Sequence, residues 1–383
     1  MKADAWVLHA GEDPRNPKRA ALVRETIEIP ALGDDDVLAE PLYGCFEGNM
    51  GHALERRPVD ICRQRGEPKV VIGNAGVVRV LECGKGVTTV SPGQKAIIFC
   101  NGVWDEWGYP KKIFAFDAPG TMGCLATKMK LGQYNVIPLA DDTRHALAAW
   151  AAFSLRYITA WSNWELAFGV FRLQVPWARM PQPNVWGWGG GVTLGTLDLA
   201  RRHGCRTVML SAKDRRLETI AKLGITPIDR RKFGTISYDE ERFGADEAYR
   251  EGYKRAEAAF LEEVKRVTKG QMVQIFVDYV GAPVYRATLK ALAREGVITT
   301  AGWKEGMKLW NLRASECIER HQHIHTHYAR YPQGLMAVAY AEANGWMPIP
   351  DERIFTFDEI PELAENYLSD RVDCFPCFSI NPA

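Results

Sequence analysis

The 383-residue chain has no excess charge of either sign: 48 lysines and arginines stand against 47 aspartates and glutamates, a formal +1. Binding to nucleic acid or to a membrane surface needs clustered excess cation, so neither partner is expected. No apolar run reaches the roughly 20 residues that cross a bilayer. Residues Met1 to Asp4 lead into a strand-like stretch without the apolar core of a secretory signal. Nine cysteines, an odd number without regular spacing, exclude a disulfide framework and suit a reducing cytoplasm. Internal repeats and low-complexity segments are absent too. The length accommodates two domains with sizeable cores.

Glycine, by contrast, is densest in one place. From Asn184 to Gly195 the chain reads Asn-Val-Trp-Gly-Trp-Gly-Gly-Gly-Val-Thr-Leu-Gly, and an apolar helical pattern from Leu197 to Ala200 ends near His203-Gly204. A short strand, a glycine-dense turn and a helix start are the parts of a dinucleotide-binding site. Gly187, Gly189, Gly190 and Gly191 let the backbone approach a pyrophosphate, with Val192 and Thr193 opening the helix whose N–H groups and dipole face it. A glycine cluster alone is also what an ordinary loop looks like, so its surroundings decide. They supply strands at Arg206–Ser211, Gln274–Asp278 and Gly296–Ala301, with helices at Asp214–Leu223 and from about Pro283 to Glu295. Such alternation predicts a parallel sheet with ligands at the strand C-terminal ends.

Ahead of this segment the chain reads as β-rich, with strands at Asp36–Tyr43, Lys69–Ile72, Gly76–Leu81 and Gln94–Phe99, then a helical region from about Arg144 to Phe171. Between about 230 and 270 a charged stretch looks like an insertion carrying an amphipathic helix through Phe260, Val264 and Val267. At the end of the second strand, where NAD enzymes place an acidic residue, stands Ser211, followed by Ala212-Lys213-Asp214-Arg215-Arg216. A hydroxyl with cations beside it fits a 2′-phosphate, so NADPH is the expected cofactor; the plainer reading of Lys213, Arg215 and Arg216 is a solvated helix start.

These residues resemble the medium-chain dehydrogenase/reductase superfamily. Val71-Ile-Gly-Asn-Ala-Gly-Val-Val78, Gly84-Lys-Gly-Val87 and Val90-Ser-Pro-Gly-Gln94 sit where that family has its Gly-His-Glu, Gly-x-Gly-Val and Gly-Asp motifs, and Thr159-Ala-Trp161 resembles its Thr-Ala-Tyr. The turn at Gly187 is similar to that of the zinc-free quinone-reductase branch, with Thr193 in place of its last glycine. A closer likeness is to crotonyl-CoA carboxylase/reductases and enoyl-thioester reductases, through Trp107-Gly-Tyr109, Pro227-Ile-Asp-Arg-Arg231 with the insertion after it, Thr326-His-Tyr-Ala-Arg-Tyr331 and Glu342-Ala-Asn344. The resemblance implies an α/β fold: a GroES-like β-rich catalytic domain over 1–155 with 333–383, and a doubly wound Rossmann domain over 156–332 with a charged insertion near 231–265. It implies an NADPH-dependent reductase of an α,β-unsaturated thioester or carbonyl, with Thr159 beside the cofactor and His327 in the active site. The same likeness implies a homodimer, or a dimer of dimers, paired through the strand near His321–His327.

Zinc of the family type is not expected. The ligand cysteine position falls near Gly48, the histidine position is Asn74 with Ala75 beside it, and Cys374-Phe-Pro-Cys377 is a single pair, read as a surface loop. His321, His323, His325 and His327 alternate, so on a strand they would share one face and could share a metal; interface packing is the preferred reading for the first three. The tyrosine of the enoyl reductases is here Phe46, which cannot donate a proton. Glu47, Asn49 and His52 are the candidates to replace it, alongside His327. Cys45, Glu47 and Pro110 replace polar residues around the relatives' histidine, so reduction with protonation is expected rather than reductive carboxylation. The alternatives are a metal-dependent alcohol dehydrogenase or carbonyl reductase using the histidines, and a non-catalytic NADPH-binding protein.

Overall fold

The computed structural model of the chain describes residues 1–13, 15, 17–300, 323–326 and 328–381. Packing divides it into two compact units, Met1–Ile158 with Ala329–Ala383, and Thr159–Tyr328. The first unit begins with β1 (Lys2–His9), β2 (Val23–Glu28), β3 (Asp36–Cys45), α1 (Gly48–Glu55) and α2 (Ile61–Arg65). Strands β4 (Lys69–Val70), β5 (Gly76–Cys83), β6 (Lys95–Ile98), β7 (Asn101–Trp104), β8 (Pro110–Ile113), β9 (Met129–Gly132) and β10 (Val136–Pro138) follow. The helix α3 (Leu147–Gln174) contains the boundary between the units.

The second unit alternates strand and helix as the pattern predicts. In order come β11 (Asn184–Trp188), α4 (Gly191–Arg202), β12 (Arg206–Ser211), α5 (Asp214–Lys222) and β13 (Thr226–Asp229). Then follow α6 (Glu240–Ala245), α7 (Glu247–Thr268), β14 (Val273–Asp278), α8 (Ala282–Ala291), β15 (Leu292–Thr300) and β16 (His323–Thr326). The six strands run parallel in the order β13-β12-β11-β14-β15-β16, a doubly wound Rossmann sheet. Every residue of β11 and β14 is buried, as a strand covered on both faces requires.

The chain then returns to the first unit with α9 (Tyr331–Asn344), α10 (Ile360–Leu368) and β17 (Cys377–Ser379). β17 completes the antiparallel order β10-β6-β5-β3-β17, with β9 also on β3, so both ends of the chain build one β-rich unit. Among the described residues, no helix is long and apolar enough to cross a membrane.

Two expectations need correction, and a third falls partly outside the described residues. The helix read to Glu295 stops at Ala291, because Leu292 already pairs with Val273; the strand is then kinked at Glu295, which takes φ +62°. Cys374 and Cys377 are not on a surface loop: both are buried, and Cys377 lies on β17 directly opposite Cys45. The strand of alternating histidines is described only over His323–Thr326, at the sheet edge, with His323 Nε2 3.0 Å from Gln174 Oε1; His321 and His327 lie outside the described residues.

The insertion is part of the second core. Asp246 caps α7 by accepting from the Tyr249 N–H (2.9 Å), and the helix buries Tyr253, Ala256, Phe260 and Val264 on one stripe. Phe260 is fully buried and stacks on Trp188 of β11 at 5.0 Å between centroids. Phe260→Ala should therefore cost about 3–5 kcal/mol of stability, read by urea unfolding through tryptophan fluorescence. A loss below about 1 kcal/mol would mean that the insertion is not integral to this core.

Candidate active site

The glycine-rich turn is built around a buried threonine. A Cβ on Gly187 would lie 2.6 Å from the Thr193 methyl and 2.8 Å from the Val277 carbonyl oxygen; one on Gly189, at φ +145°, would lie 2.3 Å from the Thr193 hydroxyl. That hydroxyl donates to the Trp188 carbonyl (3.2 Å), and Thr193 has no exposed surface. Thr193 therefore closes the turn from beneath and does not press on a ligand above it. Gly190 is different: a Cβ there would meet nothing within 4 Å. Gly190 caps α4, with Gly191 and Val192 as its first residues, so open space lies beside the helix N-terminus.

At the same strand ends Asp278 accepts from the Val280 and Gly281 N–H groups (3.0 and 2.9 Å) and from the Thr288 hydroxyl (2.8 Å). Thr288 in turn accepts from the Trp188 indole (2.9 Å). Burial pushes the Asp278 carboxyl up to about 6 despite these donors. The node fixes β11 against β14 just below the turn.

The end of β12 presents Ser211, whose hydroxyl accepts from the Lys213 N–H (3.2 Å), with Lys213 capping α5 and Arg215 and Arg216 in its first turn. One cation escaped the sequence reading. Arg231 lies just past β13, whose Asp229 pairs in register with Ser211; its Nε donates to Asp229 (2.9 Å), and it also bridges to Asp214. Hydrogen bonds from Arg231 hold the Asp229 carboxyl below its ordinary range. The Thr159 carbonyl accepts from Ser162 (3.1 Å) and Asn163 (2.9 Å), and Asn163 accepts from Thr299 on β15 (3.0 Å).

In the first unit the candidate proton donors gather where β3 runs into α1. Glu47 is the N-cap residue of α1, Asn49 stands in its first turn and His52 one turn further on. Glu47 is 3% exposed and its Oε2 lies 2.9 Å from Nε of Arg156, a residue of α3 that the sequence reading missed. The same guanidinium donates to the Cys374 carbonyl (2.6 Å) and the Phe46 carbonyl (2.8 Å). Burial outweighs the guanidinium and lifts the Glu47 carboxyl to about 7. Phe46 is fully buried and packs on Tyr367 of α10, at 4.9 Å between ring centroids.

Four polar atoms here have no hydrogen-bond partner: Glu47 Oε1, Asn49 Oδ1 and both side-chain amide atoms of Asn74. Asn74 is 1% exposed, on the segment entering β5. That segment adjoins Glu47's, since the Cys45 N–H donates to the Ala75 carbonyl (3.1 Å). Buried groups without partners are costly, so each of these calls for an explanation. Among the described residues no three His, Cys, Asp or Glu side chains come together to hold a metal ion. Cys45 has the Arg156 guanidinium 3.3 Å from its sulfur, and burial first, then Cys377, keeps its thiol protonated.

Residues 191–331 match a family model described as zinc-binding dehydrogenase. No curated protein matches the sequence. Among solved structures the chain is similar to the crotonyl-CoA carboxylase/reductase AntE in complex with NADP, with a TM-score of 0.80 at 20% identity, covering 100% of this chain and 95% of that one. It is similar to the 2-octenoyl-CoA carboxylase reductase CinF in complex with NADP and 2-octenoyl-CoA, at 0.79 and 17% over 100% and 88%. A thermostable alcohol dehydrogenase from Pyrobaculum aerophilum follows the same course, at 0.73 and 16% over 99% and 100%. At these identities the likeness establishes a shared fold.

Glu47 makes stability depend on pH. Its folded value near 7 lies above the ordinary 4.5, so the folded chain holds this proton more tightly than the unfolded chain does. The resulting stabilisation, about 3 kcal/mol, is complete below pH ~4.5 and is lost as pH rises through ~7. Glu47→Gln should remove that slope: the stability difference between wild type and variant, from urea unfolding, should change by about this amount from pH 4.5 to 8. Parallel profiles would refute it.

Proposed function

We propose that this chain, which has the two-domain fold of the medium-chain dehydrogenases/reductases, is an NADPH-dependent, zinc-independent reductase of an α,β-unsaturated thioester or carbonyl compound. The observation that carries this reading is Glu47: a buried carboxyl, titrating near neutrality, where the sequence has lost a tyrosine hydroxyl. When bound, NADPH supplies the hydride. Gly190 and the first turn of α4 receive its pyrophosphate. Ser211, Lys213, Arg215 and Arg216 receive the 2′-phosphate, and Arg231 neutralises the two aspartates that would otherwise repel it.

Glu47 does what remains. A conjugated alkene that accepts hydride at its β-carbon must collect a proton at its α-carbon, and a carboxylic acid with a pKa near the working pH is suited to give it. After transfer the carboxylate faces Arg156, which is already in place. Asn49, His52 and, through the family resemblance, His327 are further proton-handling candidates on this reading. With a proton donor at 47 and Pro110 in place of the relatives' glutamate, protonation ends the reaction, not carboxylation. The neighbours solved in complex with NADP support the cofactor. The reading also places the enzyme in the cytoplasm, with a second copy pairing on the edge strand β16.

NADPH absorbance should fall when enones or enoyl thioesters are added. The rate should decline about tenfold per pH unit above ~7, as Glu47 loses its proton, and Glu47→Gln should lower turnover at least tenfold. A rate that is flat from pH 6 to 9 would remove Glu47 from the chemistry. Replacing Lys213 and Arg215 with alanine should weaken NADPH binding at least about tenfold more than NADH binding, measured by fluorescence titration. Equal weakening would refute the phosphate assignment.

A further inference from the structure

Asn74 combines a rigid backbone with an unused side chain. Both sides of it are pinned. Gly73, at φ +112°, has no room for a Cβ, which would lie 2.9 Å from the Cys124 sulfur and 3.1 Å from the Cys124 nitrogen. Its carbonyl accepts from the Cys124 N–H (2.8 Å). On the other side the Ala75 carbonyl accepts from the Cys45 N–H (3.1 Å) and the Cys124 thiol (3.6 Å), and the Gly76 N–H donates to Ser154 (2.9 Å). The amide held between these anchors is 1% exposed and makes no hydrogen bond through either atom. A side chain serving only packing would be apolar here, because an amide buried without partners destabilises the fold.

Glu47 lies in the same neighbourhood. It follows Cys45 by two residues, and Cys124, bonded to Ala75, feels its charge after the larger effect of burial on the thiol. A partnerless acceptor, Glu47 Oε1, and a partnerless amide are thus carried on adjoining segments. Resting on the reductase reading above, we propose that Asn74 binds the carbonyl oxygen of the hydride acceptor and stabilises the negative charge that builds on it. As hydride adds to the β-carbon, the alkene electron pair moves toward the carbonyl and charge gathers on oxygen, where the Asn74 Nδ2–H donates. The enolate then takes the proton from Glu47 at its α-carbon, leaving the reduced product and a Glu47 carboxylate. An amide suits this role because it is neutral and donates without titrating.

Two variants test the assignment. Asn74→Leu removes both orphaned atoms at similar volume; Asn74→Asp keeps the shape and replaces the donor nitrogen with an oxygen. The expected results are a leucine variant as thermally stable as wild type or more so, NADPH affinity unchanged, and kcat on an enone lowered about 10²-fold in both variants. Crotonamide, an unreactive carbonyl probe, should raise the melting temperature of the wild type with NADP and not that of either variant. Turnover within about twofold of wild type in either variant would overturn the role of Asn74, as would a leucine variant that loses stability while the aspartate variant keeps full activity. A wild type that fails to oxidise NADPH with every enone and enoyl thioester tried would overturn the reductase reading itself, and the crotonamide shift would still report on Asn74.

Discussion

One buried cation organises the first unit. The Arg156 guanidinium, on α3, holds the Glu47 carboxyl, the Phe46 carbonyl and the Cys374 carbonyl at 2.9, 2.8 and 2.6 Å. It thereby ties the end of β3 to the segment that leads into β17, and sets where α1 begins. Taking both charges out of water costs several kcal/mol for each ion, which such a pair recovers only with additional hydrogen bonds. Two carbonyls supply them to the guanidinium, but Glu47 Oε1 receives none. Burial outweighs the guanidinium, and so this carboxyl titrates near 7 even though a guanidinium touches it.

In the second unit the turn, the core and the insertion form one support. The Trp188 carbonyl takes the Thr193 hydroxyl, its indole takes part in the Asp278–Thr288 node, and its ring stacks on Phe260 of α7. The glycines at 187 and 189 exist to make room for Thr193, so the turn gains an internal hydrogen bond at the position where the resembling branch has its last glycine. What faces outward is the bare backbone of Gly190. The helix of the insertion braces this turn from within the core.

The sheet was legible because its strands are local and apolar: the run at β11, the glycines after it and the alternation of helix and strand suffice to place a parallel sheet. The antiparallel unit was legible as strands but not as pairings. Nothing in the run of residues says that Cys377 lies opposite Cys45, so the cysteine pair was read as a surface loop. Arg156 was invisible for the same reason, standing 109 residues from Glu47 inside an unremarkable apolar helix. The direction of the Thr193 side chain was illegible, because a pattern of glycines says which residue departs from it, not which way the side chain turns. Asn74 was read only as a lost metal ligand. Its burial, and the pinning of its neighbours by Cys45, Cys124 and Ser154, are properties of the folded chain alone.

The same corner of the fold can meet one chemical need in two ways. An enzyme that adds hydride next to a carbonyl must hold negative charge on oxygen, and a zinc ion does this by Lewis acidity. Here the positive charge in that corner belongs to Arg156, whose bonds go to Glu47 and two backbone carbonyls. It is therefore committed to the protein's own groups, and in the proposed reaction it would temper the carboxylate left once Glu47 has given its proton. In the proposed reduction, charge on the substrate oxygen would fall to a neutral donor, and Asn74 has an unpartnered N–H held on a fixed backbone. On the proposed reading the amide of Asn74 takes over the oxygen-stabilising task that a metal would perform, and the guanidinium serves only the acid.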